Sequence, residues 1–91
     1  MYDYVITGKV EIFPQKGGWH YIKVPREISK ELMHLATRGL IAINAKIGGS
    51  IVRTSLLPFG DGTLFIALKK EVRKKENIRI GDEITVLFRA R

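Results

Sequence analysis

Cysteine is absent from this chain of 91 residues, which excludes disulfides and thiolate metal sites. No apolar run approaches the ~20 residues that a membrane helix needs. The opening segment Met1-Tyr2-Asp3-Tyr4-Val5-Ile6 lacks the basic region and long apolar stretch of a signal peptide. These absences give the expectation of a cytoplasmic protein with no membrane partner. Catalytic signatures are missing too. Ser55 has no Gly-x-Ser-x-Gly elbow around it and no third member of a triad. Gly60-Asp61-Gly62 lacks the Lys-Ser/Thr that completes a phosphate loop. His20 and His34 have neither a His-x-x-His nor a carboxylate at metal-binding spacing. The expectation is a protein without cofactor or metal that is not an enzyme.

What the chain does have is a strong excess of positive charge. It carries 16 Lys and Arg against 9 Asp and Glu, a formal net charge of +7, with 45% hydrophobic and 27% charged residues. That composition suits one soluble domain, residues 1–91, with a single modest core and no room for a separately built deep cleft. The charge suits an anionic partner such as nucleic acid. Enrichment in Lys, Arg, Glu and Ile is equally what a heat-adapted, thermophile-like surface displays.

An internal repeat organises the sequence. Shifted by 44 positions, Pro14 falls on Pro58, Gly18 on Gly62, Ile22 on Ile66, Glu27 on Glu71 and Lys30 on Lys74. Lys9/Arg53, Ile12/Leu56, Phe13/Leu57, Tyr21/Phe65, Val24/Leu68, Arg26/Lys70 and Ile28/Val72 are like-for-like pairs. Two copies of one supersecondary unit, about 4–47 and 48–91, then share a core around a pseudo-two-fold axis.

Each unit reads as hairpin, helix, strand. Tyr4 to Phe13 alternates, with Ile6, Val10 and Ile12 on one face, and Trp19 to Val24 alternates with His20, Ile22 and Val24 inward. Pro25 opens a helix in which Ile28, Leu32 and Leu35 recur at helical spacing, and Gly39 ends it. Leu40 to Ile47 is a third strand, and Gly48-Gly49 a tight hairpin in which both residues can take positive φ. The plan repeats in Ile51 to Leu57, the turn Gly60-Asp61-Gly62, Thr63 to Leu68, a shorter helix from Lys70 to about Asn77, and Glu83 to Ala90. The fold class predicted is mainly β: a small six-stranded split β-barrel from a duplicated hairpin-helix-strand unit, with two short helices. Its core is predicted to combine these inward positions with Ile41, Ile43, Leu56, Ile66, Leu68, Ile84, Val86 and Phe88.

Gly18-Trp19, Val24-Pro25, Arg53-Thr54-Ser55-Leu56, Pro58, Gly60-Asp61-Gly62, Lys69-Lys70, Val72-Arg73-Lys74 and Ile80-Gly81-Asp82 together resemble the family catalogued as domain of unknown function nineteen-oh-five. The match runs from about Val10 to Leu87, departing at Gly48-Gly49, where that family often has Asn-Gly. The resemblance implies a small split barrel and no established activity. At the level of fold alone, the arrangement also resembles the swapped-hairpin regulators of the AbrB and MazE kind, which are dimers of half-size chains.

The candidate contact residues follow from alternation and charge. Trp19 and Tyr21 share an outward face with Lys23 and Lys9, and Arg53 and Ser55 share the related face of the second hairpin with Phe65. Aromatics interleaved with cations suit single-stranded nucleic acid; the same aromatics suit helix packing or a dimer contact. Lys69, Lys70, Arg73, Lys74 and Lys75, clustered across the pseudo-two-fold with Arg26 and Lys30, would form one basic patch for a phosphate backbone. The leading expectation is a non-catalytic binding module for nucleic acid or another polyanion. The alternatives are a structural or protein-interaction homodimer, and a small-anion pocket or enzyme around Arg53, Ser55 and Lys69. His20 is expected to be a satisfied residue at the barrel end.

Overall fold

The computed structural model describes the chain apart from residues 15 and 16. Strands β1 (Tyr4–Lys9), β2 (Glu11–Ile12) and β3 (His20–Val24) lead into helix α1 (Arg26–Leu32), a 3-10 turn (Met33–Leu35) and strand β4 (Ile41–Ile47). Strands β5 (Ser50–Pro58) and β6 (Leu64–Ala67), helix α2 (Lys70–Lys75) and strand β7 (Glu83–Ala90) complete the chain. The strands form one seven-stranded antiparallel sheet in the order β1-β7-β4-β5-β6-β3-β2.

The first and last strands in that order are consecutive in sequence, so the sheet nearly closes into a barrel. Val10 is the joint. Its N–H donates to Asp82 O at 2.7 Å and its C=O accepts from Gly81 N at 2.8 Å, at the turn before β7. Beyond it the chain leaves β7 for β3. At the seam Gly8 runs so close to β3 that a Cβ there would lie 3.3 Å from Ile22 Cβ and 3.6 Å from Lys23 O. The six strands predicted from alternation are therefore seven, because the first is cut at Val10 while its alternation continues.

Duplication is written into the ladders. In β3–β6, Ile22 pairs with Ile66, its own repeat equivalent, while Tyr21 faces Ala67 and Lys23 faces Phe65. In β4–β7, Asn44 faces Arg89 and Ala45 faces Phe88, which again crosses the 44-residue equivalents. Both registers are those of a two-fold axis through the two ladder midpoints. In front of β3 the offset changes. Phe13 N–H bonds Trp19 O and Phe59 N–H bonds Thr63 O, so Phe13 matches Phe59, 46 positions on. Likewise Glu11 faces Tyr21 as Leu57 faces Phe65. The pairings Ile12/Leu56, Phe13/Leu57 and Pro14/Pro58 are thus corrected, because the first hairpin connection is two residues longer than the second.

The core comprises Ile6, Val10, Ile22, Val24, Ile41, Ile43, Leu56, Ile66, Leu68, Val86 and Phe88 as expected, with Leu32, Ala45, Ile47, Leu64 and Ile78 added. Ile84 is half-buried, packed against this cluster, and one core expectation fails. Ile12 keeps its inward phase opposite His20 but lies past the last core layer and is 40% exposed. Leu35 is exposed because α1 stops at Leu32 and the following 3-10 turn winds at a different period. Gly48 has φ +59 while Gly49 is not left-handed, the combination of a II′ rather than a I′ hairpin.

Candidate functional site: two related clefts, one filled and one open

Because β3 and β6 are antiparallel and each runs into a helix, α1 begins beside Leu64 and α2 beside His20. The helices therefore sit at opposite ends of this ladder, and the same four positions recur at each end. At the α1 end, Ser29 is fully buried. Its Oγ donates to Val24 O at 3.2 Å and accepts from Leu64 N–H at 3.1 Å. At the α2 end its equivalent is Arg73, whose Nε donates to Leu68 O at 3.0 Å. Leu64 is there replaced by His20, with Nε2 3.3 Å from Arg73 Nη1. A guanidinium can only donate, so Nε2 is the acceptor and the ring proton sits on Nδ1. That Nδ1 is buried with no partner among the described residues, which corrects the expectation of a satisfied histidine.

The α1 end is closed by its own side chains. Thr63 is buried and donates its N–H and hydroxyl to Asp61 Oδ1. Asp61 Oδ2 accepts from Lys23 Nζ at 2.9 Å, and Arg26 Nη1 reaches Asp61 O. These donors hold the Asp61 carboxyl far below the usual carboxylate range, the Thr63 hydroxyl most strongly, then Lys23.

The α2 end stays open as a cleft of about 370 Å³, walled by the Gly17-Gly18-Trp19-His20 segment on one side and Ala67 to Arg73 on the other. Trp19, in the place of Thr63, is 53% exposed. Lys69, Lys70 and Arg73 line this cleft, with Glu71 as the one acid among its described residues. A second hollow, of about 310 Å³, continues over α2 and shares Lys70 and Arg73, adding Lys74, Asn77 and Arg79. Arg79 was not singled out from the sequence. Among the described residues Lys23–Asp61 is the one ion pair, so none of the cations along this track is neutralised by a carboxylate.

The remaining candidates are distributed differently. Tyr21 is 7% exposed, covered by Phe13 at 4.2 Å between ring centroids and by Phe59 and Phe65 at 5.5 and 5.7 Å. Lys23 Nζ lies over the Phe59 ring at 4.2 Å. Tyr21 and Phe65 do point outward, but they pack on each other across the pseudo-two-fold and leave Trp19 as the exposed ring. Burial raises the Tyr21 phenol above its ordinary pKa, Glu11 adding to the effect. Arg26 and Lys30 lie on α1, at the opposite end of the ladder from α2, so the single patch expected across the pseudo-two-fold is not assembled. Arg53 and Ser55 alternate with Val52 and Thr54 on β5. Val52 and Thr54 face a small hollow with Lys69, and Arg53 and Ser55 take the other face, so the three residues of the small-anion pocket are not brought together. No group of His, Asp or Glu suited to a metal occurs among the described residues. No helix among them is long and apolar enough to cross a membrane.

The fold and site define a small duplicated β-barrel in which one of two symmetry-related clefts is filled by the protein itself and the other is open and cationic. The chain belongs to the family described as Domain of unknown function (DUF1905), whose profile matches residues 7–87. A comparison with curated proteins finds no match.

Proposed function

We propose that this protein is a non-catalytic binding module whose partner is nucleic acid, held along α2. The observation that carries this reading is the continuous track of Lys69, Lys70, Arg73, Lys74 and Arg79 across two adjoining hollows with Trp19 exposed at one end. Phosphates spaced along a strand meet the cations, and a base stacks on the indole. Only one ring is offered, so affinity comes chiefly from phosphate contacts and little from base identity. Each such contact releases about one counterion, giving a slope of log affinity against log salt near −0.7 to −0.9 per contact.

A salt titration with single-stranded and duplex DNA and RNA tests this. Replacing Lys70 and Lys74 by Gln makes the slope shallower by about one to two contacts. An unchanged slope, or no binding of the parent protein at ~50 mM salt where such contacts are strongest, overturns the reading. A second reading, a protein-interaction homodimer, draws on the opposite part of the barrel. There Val5 and Ile51 are exposed and share an outer row with Leu87 and Lys46. Its mark is a concentration-dependent dimer that Ile51→Lys dissociates.

A further inference from the structure

We infer that the open cleft is a site for one phosphate monoester carried on a nucleoside, with Arg73 binding the phosphate and Trp19 stacking on the base. The inference rests on the nucleic-acid reading for its ligand class and narrows it to one enclosed position.

The repeat itself supplies the control. At the α1 end a serine performs the whole structural task at this position, capping Val24 O and bonding Leu64 N. A small neutral side chain is therefore sufficient for the architecture. At the α2 end the equivalent bond to Leu68 O is made by Arg73 Nε, which leaves a guanidinium where the fold needs only a hydroxyl. Arg73 is partly buried, and among the described residues no carboxylate pairs with it. A partly desolvated charge without a counter-ion is costly, and an entering anion relieves that cost. Arg73 is also held in place, at Nε by Leu68 O and at Nη1 by His20 Nε2. Its Nη2 has no protein partner among the described residues and is left for a ligand. Planar guanidinium forks match phosphate oxygens, and Lys69 and Lys70 lie on the same wall.

The volume and the ring specify what carries the phosphate. About 370 Å³ is at the small end of ligand sites, sufficient for one nucleotide and too small for a duplex. Trp19 stands where the closed end has buried Thr63, and its ring is the exposed aromatic at the mouth. The same chemistry is offered by a free mononucleotide and by the 5′-phosphorylated end of a strand.

Trp19 is the single tryptophan of the chain, so its fluorescence reports the cleft directly. The probes are adenosine 5′-monophosphate, adenosine, inorganic phosphate, and a single-stranded hexanucleotide with and without a 5′-phosphate. Saturable change with the monophosphate is expected, at an affinity about ten- to a hundredfold above that for adenosine, as befits charge-assisted hydrogen bonds. Inorganic phosphate competes. Arg73→Ser and His20→Leu place in this cleft the residues that the closed end already carries, so each is compatible with the local fold. Each abolishes the preference for the monophosphate over adenosine. A response to the mononucleotide alone identifies a free-nucleotide site, and one to the phosphorylated strand alone a strand-end site; either supports the inference. Equal response to adenosine and its monophosphate, or a preference unchanged in both variants, overturns it. Strand retention by the parent protein that is the same with and without the 5′-phosphate, with no response to adenosine 5′-monophosphate, overturns this inference and leaves the nucleic-acid reading standing. Monophosphate binding without strand retention does the reverse.

Discussion

Lys23 and Asp61 join the two halves of the duplication through an ion pair of 2.9 Å. Lys23 lies on β3, in the first repeat, and Asp61 in the turn between β5 and β6, in the second. Both are about two-fifths exposed, so the pair is a latch on the closed cleft rather than a buried charge. Its consequence is for stability against pH.

The first prediction concerns acid. The Asp61 carboxyl is depressed by the Thr63 hydroxyl and then by Lys23, so the folded state releases this proton more readily than the unfolded chain. The stabilisation is present above the unfolded carboxyl value near ~3.9 and is lost as pH falls below it toward the lower folded value. Asp61→Asn lowers the melting temperature at neutral pH. The gap between parent and variant narrows between roughly pH 5 and pH 2, the range over which depressed carboxylates protonate. A gap constant across that range would show that Asp61 acts by geometry alone.

The second prediction concerns the axis. Ile22 and Ile66 face each other in the ladder and are both fully buried. Truncating either to Ala costs about 2–5 kcal/mol in denaturant unfolding, as for other core isoleucines. Because they touch, the double variant loses less or more than the sum of the singles by at least ~0.5 kcal/mol. Losses below ~0.5 kcal/mol at both sites, the range of surface substitutions, would remove them from the core.

The third prediction separates two adjacent glycines. A Cβ on Gly48 would lie impossibly close to Glu76 Oε1, and its φ is +59. Glu76 accepts from Gly49 N–H and Ser50 Oγ, which together hold its carboxyl below the usual range, Ser50 most strongly. Gly48→Ala therefore strains the backbone, by about 1–2 kcal/mol for a left-handed alanine, and displaces Glu76. Gly49→Ala meets only an ordinary contact with Glu76 Oε2 and costs less. Thermal unfolding of the two variants checks the order.

Much of this fold is legible in the sequence because alternation and turn residues act locally. Tyr21 and Phe65 read correctly as outward, and Gly60-Asp61-Gly62 as the turn that ends β5. What local patterning cannot express is where a barrel ends. Ile12 has the right phase and still lies past the core. Nor does it express that a valine, Val10, carries the closing bend, since its backbone bonds go to Gly81 and Asp82, some seventy residues away. The open cleft did leave a trace. Within the repeat Gly17/Asp61, Trp19/Thr63, His20/Leu64, Lys23/Ala67, Pro25/Lys69 and Ser29/Arg73 are unlike pairs, and one member of each lines the cleft that stayed open. The fixed offset of 44 obscured the front of the repeat, where the longer loop makes Phe13 the partner of Phe59. With that pairing hidden, the cover over Tyr21 was hidden too.

The seam at Val10 also governs how the chain can acquire this shape. β1 pairs with β7 from Tyr4 to Phe88, and Val10 waits for the turn at Gly81-Asp82. A nascent chain leaving the ribosome holds β1 without its ladder partner until β7, about eighty residues further on, has emerged. Long-range pairing of this kind is slow, because the loop must close before any contact rewards it. The folding rate should therefore be that of a β-barrel, in milliseconds to seconds, and the N-terminal strand should be the last segment to gain protection.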